Sequence, residues 1–372
     1  MSEQALENLI SVWDKLEEKG FSRQPQVVAN GIFCDCSGFI SLLCDELGVR
    51  KPYGLAQPKA VHFFAILQEI GSSHISQIKP WHLLAWRKDQ LPKSGDTGHI
   101  LLAAGEPKKI ADNVYRLKVV DSTKAANGLA RREICLHTSE QGRLLGVQLH
   151  MATAKVKRTP IYHAPLLNER YCLACGVPQK LCLCEVVDIA DLSAPSIIIL
   201  RHPEERKKTL STVSLIKQRY PSLLVKEGEH FAPLRQPNLV LLFPDSEASG
   251  SETDKIPEGE SLPGKTKSGR HHEPATMVLL DATWRKAKRI LHENPWLGTL
   301  PRISLEPTSL SDYRLRKVPN EHALSTVEVF AMVQKDSELQ ELFRVFMQKQ
   351  IELMGRDKYE QNYRDHINYE PK

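Results

Sequence analysis

Three short runs of unbroken apolar residues, Ser196–Leu200, Leu239–Phe243 and Met277–Leu280, constrain the second half of the chain more than any other feature. A strand with one wet face alternates apolar and polar side chains, whereas a strand apolar at every position is buried on both faces. Helical or polar stretches separate the three runs, so the expectation is an α/β domain built on a parallel sheet. The third run ends in an acid, Asp281, and Trp284, Ala287 and Leu291 then mark one face of a helix. Ligands of open parallel sheets bind at the carboxyl ends of the strands, which is where Asp281 stands. An aspartate before a helix is equally a common N-cap, so Asp281 carries two readings, cap or site acid. Leu342, Val345, Phe346 and Ile351 give the period of a closing amphipathic helix over Leu339–Met354.

The first half reads as α+β, with helical patterns at 4–18 and 36–47 and strand-like runs at His99–Ala104 and Tyr115–Val120. A chain of 372 residues is roughly two domains' worth. The stretch 155–170, with Lys155, Lys157, Arg158, Pro160 and Pro165, reads as the interdomain linker. Residues 246–274 are rich in Ser, Gly, Pro, Glu and Lys, and read as a flexible insertion within the second domain. No apolar run approaches the roughly 20 residues that cross a bilayer. Glu3, Glu7, Asp14, Glu17 and Glu18 break up any signal-peptide core. The expectation is a cytoplasmic protein with no membrane partner and reduced thiols. Its net charge of +5 permits a nucleic-acid partner without demanding one.

Cys172, Cys175, Cys182 and Cys184 fall within 13 residues, as CxxC followed by CxC, with Gly176 and Pro178 turning the chain between the pairs. Four soft sulfurs so close suit tetrahedral zinc, and a filled four-thiolate site has no open position, so this Zn2+ would be structural. The alternative is a group of reduced, partly buried thiols. Placed before the second domain, the metal is expected to hold the entry to it.

Further motifs follow in order: Arg201-His202-Pro-Glu204 after the first apolar run, Phe243-Pro244 after the second, and DxTW at Asp281–Trp284. YxLRxxP at Tyr313–Pro319 and LSTxE at Leu324–Glu328 come last. Ser325 and Glu328 have capping-box spacing, and a helix start also offers free N–H groups to a carboxylate. Together with the cysteines, these motifs resemble the DTW-domain family of tRNA-uridine aminocarboxypropyltransferases over about residues 168–372. The resemblance implies a SPOUT-like α/β fold with a small zinc knuckle. It also implies S-adenosylmethionine as donor, and transfer of its 3-amino-3-carboxypropyl group to N3 of a tRNA uridine.

On that reading Asp281 is the general base for N3–H. His202, Glu204 and Pro244 lie in cofactor-binding motifs. Trp284 stacks on adenine or uracil, or is plain core. Arg316, Ser325 and Thr326 supply donors to the aminocarboxypropyl carboxylate. Arg285, Lys288, Arg289, Arg314 and Lys317 flank the site as phosphate contacts. The chain departs from the family where Ser211-Thr212 replaces Asn-Thr, and in the length of the 246–274 insertion.

Residues 25–150 carry a second constellation. Cys36 follows Asp35 in the first turn of a helix, His99 opens a strand after Gly98, and Asp121 ends the next strand. Cysteine at a helix start, then His and Asp on neighbouring strands, is the order of papain-like thiol hydrolases. DCSGF, GH and VVDST resemble the NlpC/P60 superfamily, which implies a papain-like domain over 1–160 with Cys36, His99 and Asp121 as its triad. Cys34 and Cys44 read as buried thiols, and Cys36 has that alternative too. Two further functions stay open: a zinc-stabilised RNA-binding protein without catalysis, and S-adenosylmethionine-dependent modification of ribosomal RNA.

Overall fold

The structure is a computed structural model. It describes residues 21–22, 32–33, 35–92, 95, 97–123, 128–149, 155–184, 196–206, 208, 211–243, 254–257, 276–306, 311, 313 and 324–359. The expected helix at 4–18, together with Cys34, Pro244, Arg314, Arg316 and Lys317, lies outside the described residues. Contacts divide the chain into two compact units, Met1–Glu185 and Val186–Lys372.

In the first unit β1 (Phe21–Ser22) and β2 (Ile32–Phe33) form a short parallel pair. Helices α1 (Cys36–Glu46) and α2 (Ala60–Ile70) follow. The strands of a large antiparallel sheet are β3 (His82–Arg87), β4 (Gly98–Ala103), β5 (Lys108–Ala111), β6 (Val114–Thr123), β7 (Gly128–Thr138), β8 (Leu144–Gln148), β9 (Lys157–Arg158) and β10 (Tyr162–Pro165). They run in the order β10-β3-β4-β6-β7-β8-β9, with β5 beside β6.

Side chains alternate across this sheet. Leu83, Ala85, Ile100, Leu102 and Val120 face α1 and α2, where Phe39, Leu43, Phe63 and Leu67 complete one core. Leu84, Trp86, Leu101, Leu117, Val119, Ile134 and Val147 fill a second core on the other face. Gly98 explains the glycine before His99: a Cβ there would lie 2.2 Å from the Trp86 carbonyl oxygen, so only glycine lets β4 close on β3 at this point.

The stretch 155–170 is not a linker. Lys157–Arg158 and Tyr162–Pro165 are sheet strands, the latter in register with β3 through Tyr162 opposite Ala85. Flanking lysines and prolines mask the buried Ile161, Tyr162, Ala164 and Leu166 that drive the pairing.

Among the described residues, the second unit holds six parallel strands. They are β11 (Ile197–Arg201), β12 (Leu224–Glu227), β13 (Leu239–Leu242), β14 (Asp254–Pro257), β15 (Thr276–Asp281) and β16 (Arg302–Glu306), in the order β12-β11-β15-β13-β16-β14. The three apolar runs are the adjacent central strands β11, β15 and β13, buried on both faces as the pattern requires. Helices α3 (Pro203–Arg206), α4 (Val213–Arg219), α5 (Trp284–Glu293), α6 (Pro295–Gly298), α7 (Thr326–Gln334) and α8 (Ser337–Met354) accompany them.

Ile198, Leu200, Leu241, Val278 and Leu280 pack with Ala287, Ile290 and Leu297 of α5 and α6. Ile197, Ile199, Met277 and Leu279 point the opposite way and are buried as well. Asp336 caps α8 through the Leu339 N–H, and also binds Arg219 and the Tyr220 hydroxyl at the end of α4. Within the stretch 246–274, expected to stay unordered, Asp254–Pro257 pairs with β16 as an edge strand. Backbone hydrogen bonds suffice for such pairing without an apolar sequence. Among the described residues no helix is long and apolar enough to cross a membrane.

Candidate functional site

β11 leads to β12 on one side, while β13 lies beyond β15 on the other, so the strand order reverses between β11 and β15, and open parallel sheets bind ligands at the carboxyl ends of strands at such a reversal. Asp281 is the last residue of β15 and is largely buried. Its Oδ1 accepts a hydrogen bond from the Thr326 hydroxyl at 2.7 Å, and its backbone carbonyl accepts from the His202 N–H at 3.0 Å. DxTW, LSTxE and HPxE are therefore joined at one residue, LSTxE through the Asp281 carboxylate and HPxE through its backbone carbonyl. The N-cap of α5 is Thr283, which sets aside the reading of Asp281 as a helix cap.

His202 is buried and held at both nitrogens. Nδ1 accepts from the Glu204 N–H at 3.2 Å and Nε2 faces Glu229 Oε1 at 2.8 Å, so the proton on the neutral ring belongs to Nε2. Glu229 also meets Arg289 at 3.2 Å. The Glu204 carboxylate instead lies in an ion pair with Lys286 at 2.5 Å, which holds it below the usual carboxylate range.

Trp284 is exposed rather than core, and meets Phe243 edge-on with ring centroids 5.8 Å apart. Arg285, Lys288, Arg289 and His292 continue from it as one exposed face of α5. Ser325 and Glu328 form the expected capping box, and Glu328 additionally accepts from the Ser311 hydroxyl at 2.8 Å, tying that loop to the start of α7.

The four cysteine sulfurs lie within 4.8 Å of one another, with near contacts of 3.3, 3.6 and 3.7 Å. Tetrahedral Zn–S bonds of about 2.3 Å put sulfurs roughly 3.8 Å apart, so the donor set fits a zinc ion. Hydrogen bonds from Cys175 and Cys184, helped by the N–H groups of Ala174 and Cys175, draw Cys172 toward the thiolate. The knuckle docks on the first unit, which differs from its expected place at the entry to the second. Leu173 belongs to the core beneath α1 and α2, and the Ala174 carbonyl accepts from the Tyr53 N–H at 2.7 Å.

The first unit also brings Cys36, His99 and Asp121 together. Asp35 caps α1 by accepting from the Gly38 N–H at 2.7 Å, which puts Cys36 in the first turn. His99 Nε2 lies 2.6 Å from Asp121 Oδ2, and the imidazole is within hydrogen-bond reach of Cys36. Burial opposes charge on His99, but the hydrogen bonds to Asp121 and Cys36 outweigh it and raise its pKa to about 9. Asp121 is fully buried, and Arg132 grips both its oxygens at 2.8 and 2.5 Å. Burial alone would raise its pKa; the bonds from Arg132 and His99 bring it below the ordinary value.

Arg132, Glu229 and Lys286 escaped the reading of the sequence, as did Thr326 in its role as donor to Asp281. Arg132 reaches Asp121 only through the β6–β7 register, and Lys286 reaches Glu204 across 82 residues. A signal for Arg132 was a cation diagonal to the β6 acid across the β6–β7 pair, two residues from its direct partner Ala130.

A family model described as the DTW domain matches residues 169–353. The match takes in the cysteine knuckle, although contacts assign the knuckle to the first unit. A curated protein of Macaca fascicularis named tRNA-uridine aminocarboxypropyltransferase 2 is 28% identical over 193 residues, which is 48% of this chain and 61% of that protein. Proteins of the same name from Mus musculus and Drosophila melanogaster are each 29% identical. They align over 185 and 173 residues, covering 46% and 43% of this chain and 57% and 63% of those proteins. The chain thus spans about 60% of the length of these curated relatives. No solved structure matches.

Proposed function

We propose, from the premise that the chain belongs to the DTW-domain family through residues 169–353, that its second unit transfers the 3-amino-3-carboxypropyl group of S-adenosylmethionine to N3 of a tRNA uridine. The observation that carries this reading is the Asp281–Thr326 hydrogen bond at the carboxyl edge of the sheet. Uridine N3–H is a weak acid and needs a base within hydrogen-bond reach to become a nucleophile. Asp281 takes that proton, and Thr326 fixes the carboxylate's orientation without removing its capacity to accept. The sulfonium of the donor makes the adjacent carbon electrophilic, so N3–C forms as C–S breaks and 5′-methylthioadenosine leaves.

The protein's remaining part is positioning. Trp284 and Phe243 offer an exposed aromatic corner for a base, and Ser325 and Thr326 open the helix that offers N–H groups to the donor's carboxylate. Arg285, Lys288 and Arg289 line the exposed face of α5 as phosphate contacts. A SPOUT-like classification of the parallel sheet belongs to the same reading. A binding protein whose catalysis had decayed would not need to keep a buried carboxylate oriented at this edge. The test is mass analysis of nucleosides from tRNA incubated with the full chain and S-adenosylmethionine. The reading expects 3-(3-amino-3-carboxypropyl)uridine, and modification of ribosomal RNA alone, or methyluridine alone, would overturn it.

A second reading is supported by a separate observation. The Cys36–His99–Asp121 arrangement, with Arg132 behind it, has the nucleophile, base and orienting acid of a thiol hydrolase. It gives the NlpC/P60-like reading of the first unit an acyl or amide substrate class. Iodoacetamide at neutral pH should modify Cys36 faster than Cys44, whose thiol burial pushes up to about 12. Equal rates, or a Cys36 rate unchanged in His99→Gln, would reduce the constellation to a structural one.

A further inference from the structure

The transferase reading gives the first unit no part in handling substrate, yet the net charge of the chain lies there. Residues 1–185 carry 23 Lys and Arg against 18 Asp and Glu, while residues 186–372 carry 27 of each. Strand register gathers much of this excess onto one surface. Lys108 pairs with Arg116, Lys118 with Glu133, and Val120 with Arg131. His137 pairs with Gly146, which pairs with Arg158. Residues in direct register, and those two apart on one strand, share a face. Lys108, Arg116, Lys118, Arg131 and Arg158 therefore project from one side of β5, β6, β7 and β9. It is the side that Val120 shares with the core under α1 and α2.

The helices contact β3, β4, β10 and part of β6, and all five cations beyond them are exposed. Glu133 lies among them, 3.7 Å from Arg116. At about 4.8 Å between strands, a face running from β5 to β9 is roughly 20 Å wide. A protein partner would need an apolar centre in such a face. A row of exposed lysines and arginines suits instead a chain of phosphates, which it binds by displacing counterions.

We propose that this face of the first unit binds backbone phosphates of the tRNA on which the second unit acts. The inference rests on the tRNA reading above and adds a second binding surface to it. The experiment uses the full chain and the variant Lys108→Gln/Arg116→Gln/Lys118→Gln/Arg131→Gln, with Arg344→Gln/Arg356→Gln on the second unit as a control of the same kind. Equilibrium binding to tRNA is measured across salt concentrations, alongside modified-nucleoside formation and thermal melting.

The log–log salt slope should shrink by about 3 in the fourfold variant, at roughly 0.7–0.9 per lost phosphate contact. Affinity at about 0.1 M salt and 1/KM for tRNA should fall at least roughly tenfold, with turnover at saturating tRNA and the melting temperature unchanged. An unchanged slope and affinity, or an equal loss in the Arg344/Arg356 control, overturns the inference. So does loss of binding to phosphatidylserine vesicles with tRNA affinity intact, which would make the face a membrane surface. If the slope falls as expected but the wild type forms no modified nucleoside, the transferase reading fails and this one stands.

Discussion

Replacing Cys182 and Cys184 by serine should destabilise the first unit, not the second. A structural four-thiolate zinc site contributes on the order of 10–16 kcal/mol of apparent binding free energy, so losing two ligands should unfold the knuckle. The knuckle's contribution to the first unit can be worked out from its contacts. Leu173 is 4% exposed and packs beneath α1 and α2, which is worth about 1.5–3 kcal/mol. The Tyr53–Ala174 backbone hydrogen bond adds about 1 kcal/mol. A loss of about 2.5–4 kcal/mol in a unit of this size lowers Tm by roughly 5–16 °C. Calorimetry of the full chain, with metal analysis, measures this directly, and amide exchange locates it. Wild type should hold about one zinc per chain and the variant none, with faster exchange in α2 and β3. A wild type free of zinc, or faster exchange confined to β11–β16, would refute the reasoning.

Thr326→Val removes the hydroxyl that donates to Asp281; a hydrogen bond to a charged group is worth about 1.5–3 kcal/mol, so transfer should slow by roughly 10- to 100-fold while Thr326→Ser stays near wild type, as read by single-turnover nucleoside formation. The raised pKa of His99 predicts a pH-dependent stability with a definite sign. Folding lifts His99 from 6.5 to about 9, so its contribution of about 3 kcal/mol is fully present below about pH 6.5 and is lost as pH rises through about 9. The stability gap between wild type and His99→Gln in urea should therefore be wide at about pH 6 and narrow at about pH 9.5, and a gap constant across that range would contradict the geometry.

The central strands were legible because burial on both faces leaves no alternation to misread, and β11, β13 and β15 stand within a residue or two of their apolar runs. Asp281 was legible as a strand-end acid, but not its partner, since Thr326 lies 45 positions away and meets it only when α7 closes on the sheet. Whether Asp281 was a cap depended on two residues of backbone: β15 runs through Asp281 itself, so Ala282 and Thr283 separate it from α5. The lysines and prolines around β9 and β10 imitate a linker, and only the pairings of Arg158 with Gly146 and of Tyr162 with Ala85 show that the sheet runs through them. The knuckle's ligands could be read from spacing. Its docking could not, because Leu173 inside CLAC gives no sign of which core it enters.

The most direct test of the account is Asp281→Asn in the full chain. Thr283 holds the N-cap of α5, and an asparagine side-chain oxygen can still accept from Thr326, so folding and S-adenosylmethionine binding should survive. An amide cannot take the N3 proton, so formation of 3-(3-amino-3-carboxypropyl)uridine should fall by roughly 10²–10⁴-fold, the contribution of a positioned general base. A folded, S-adenosylmethionine-binding Asp281→Asn variant that modifies tRNA at the wild-type rate would contradict it.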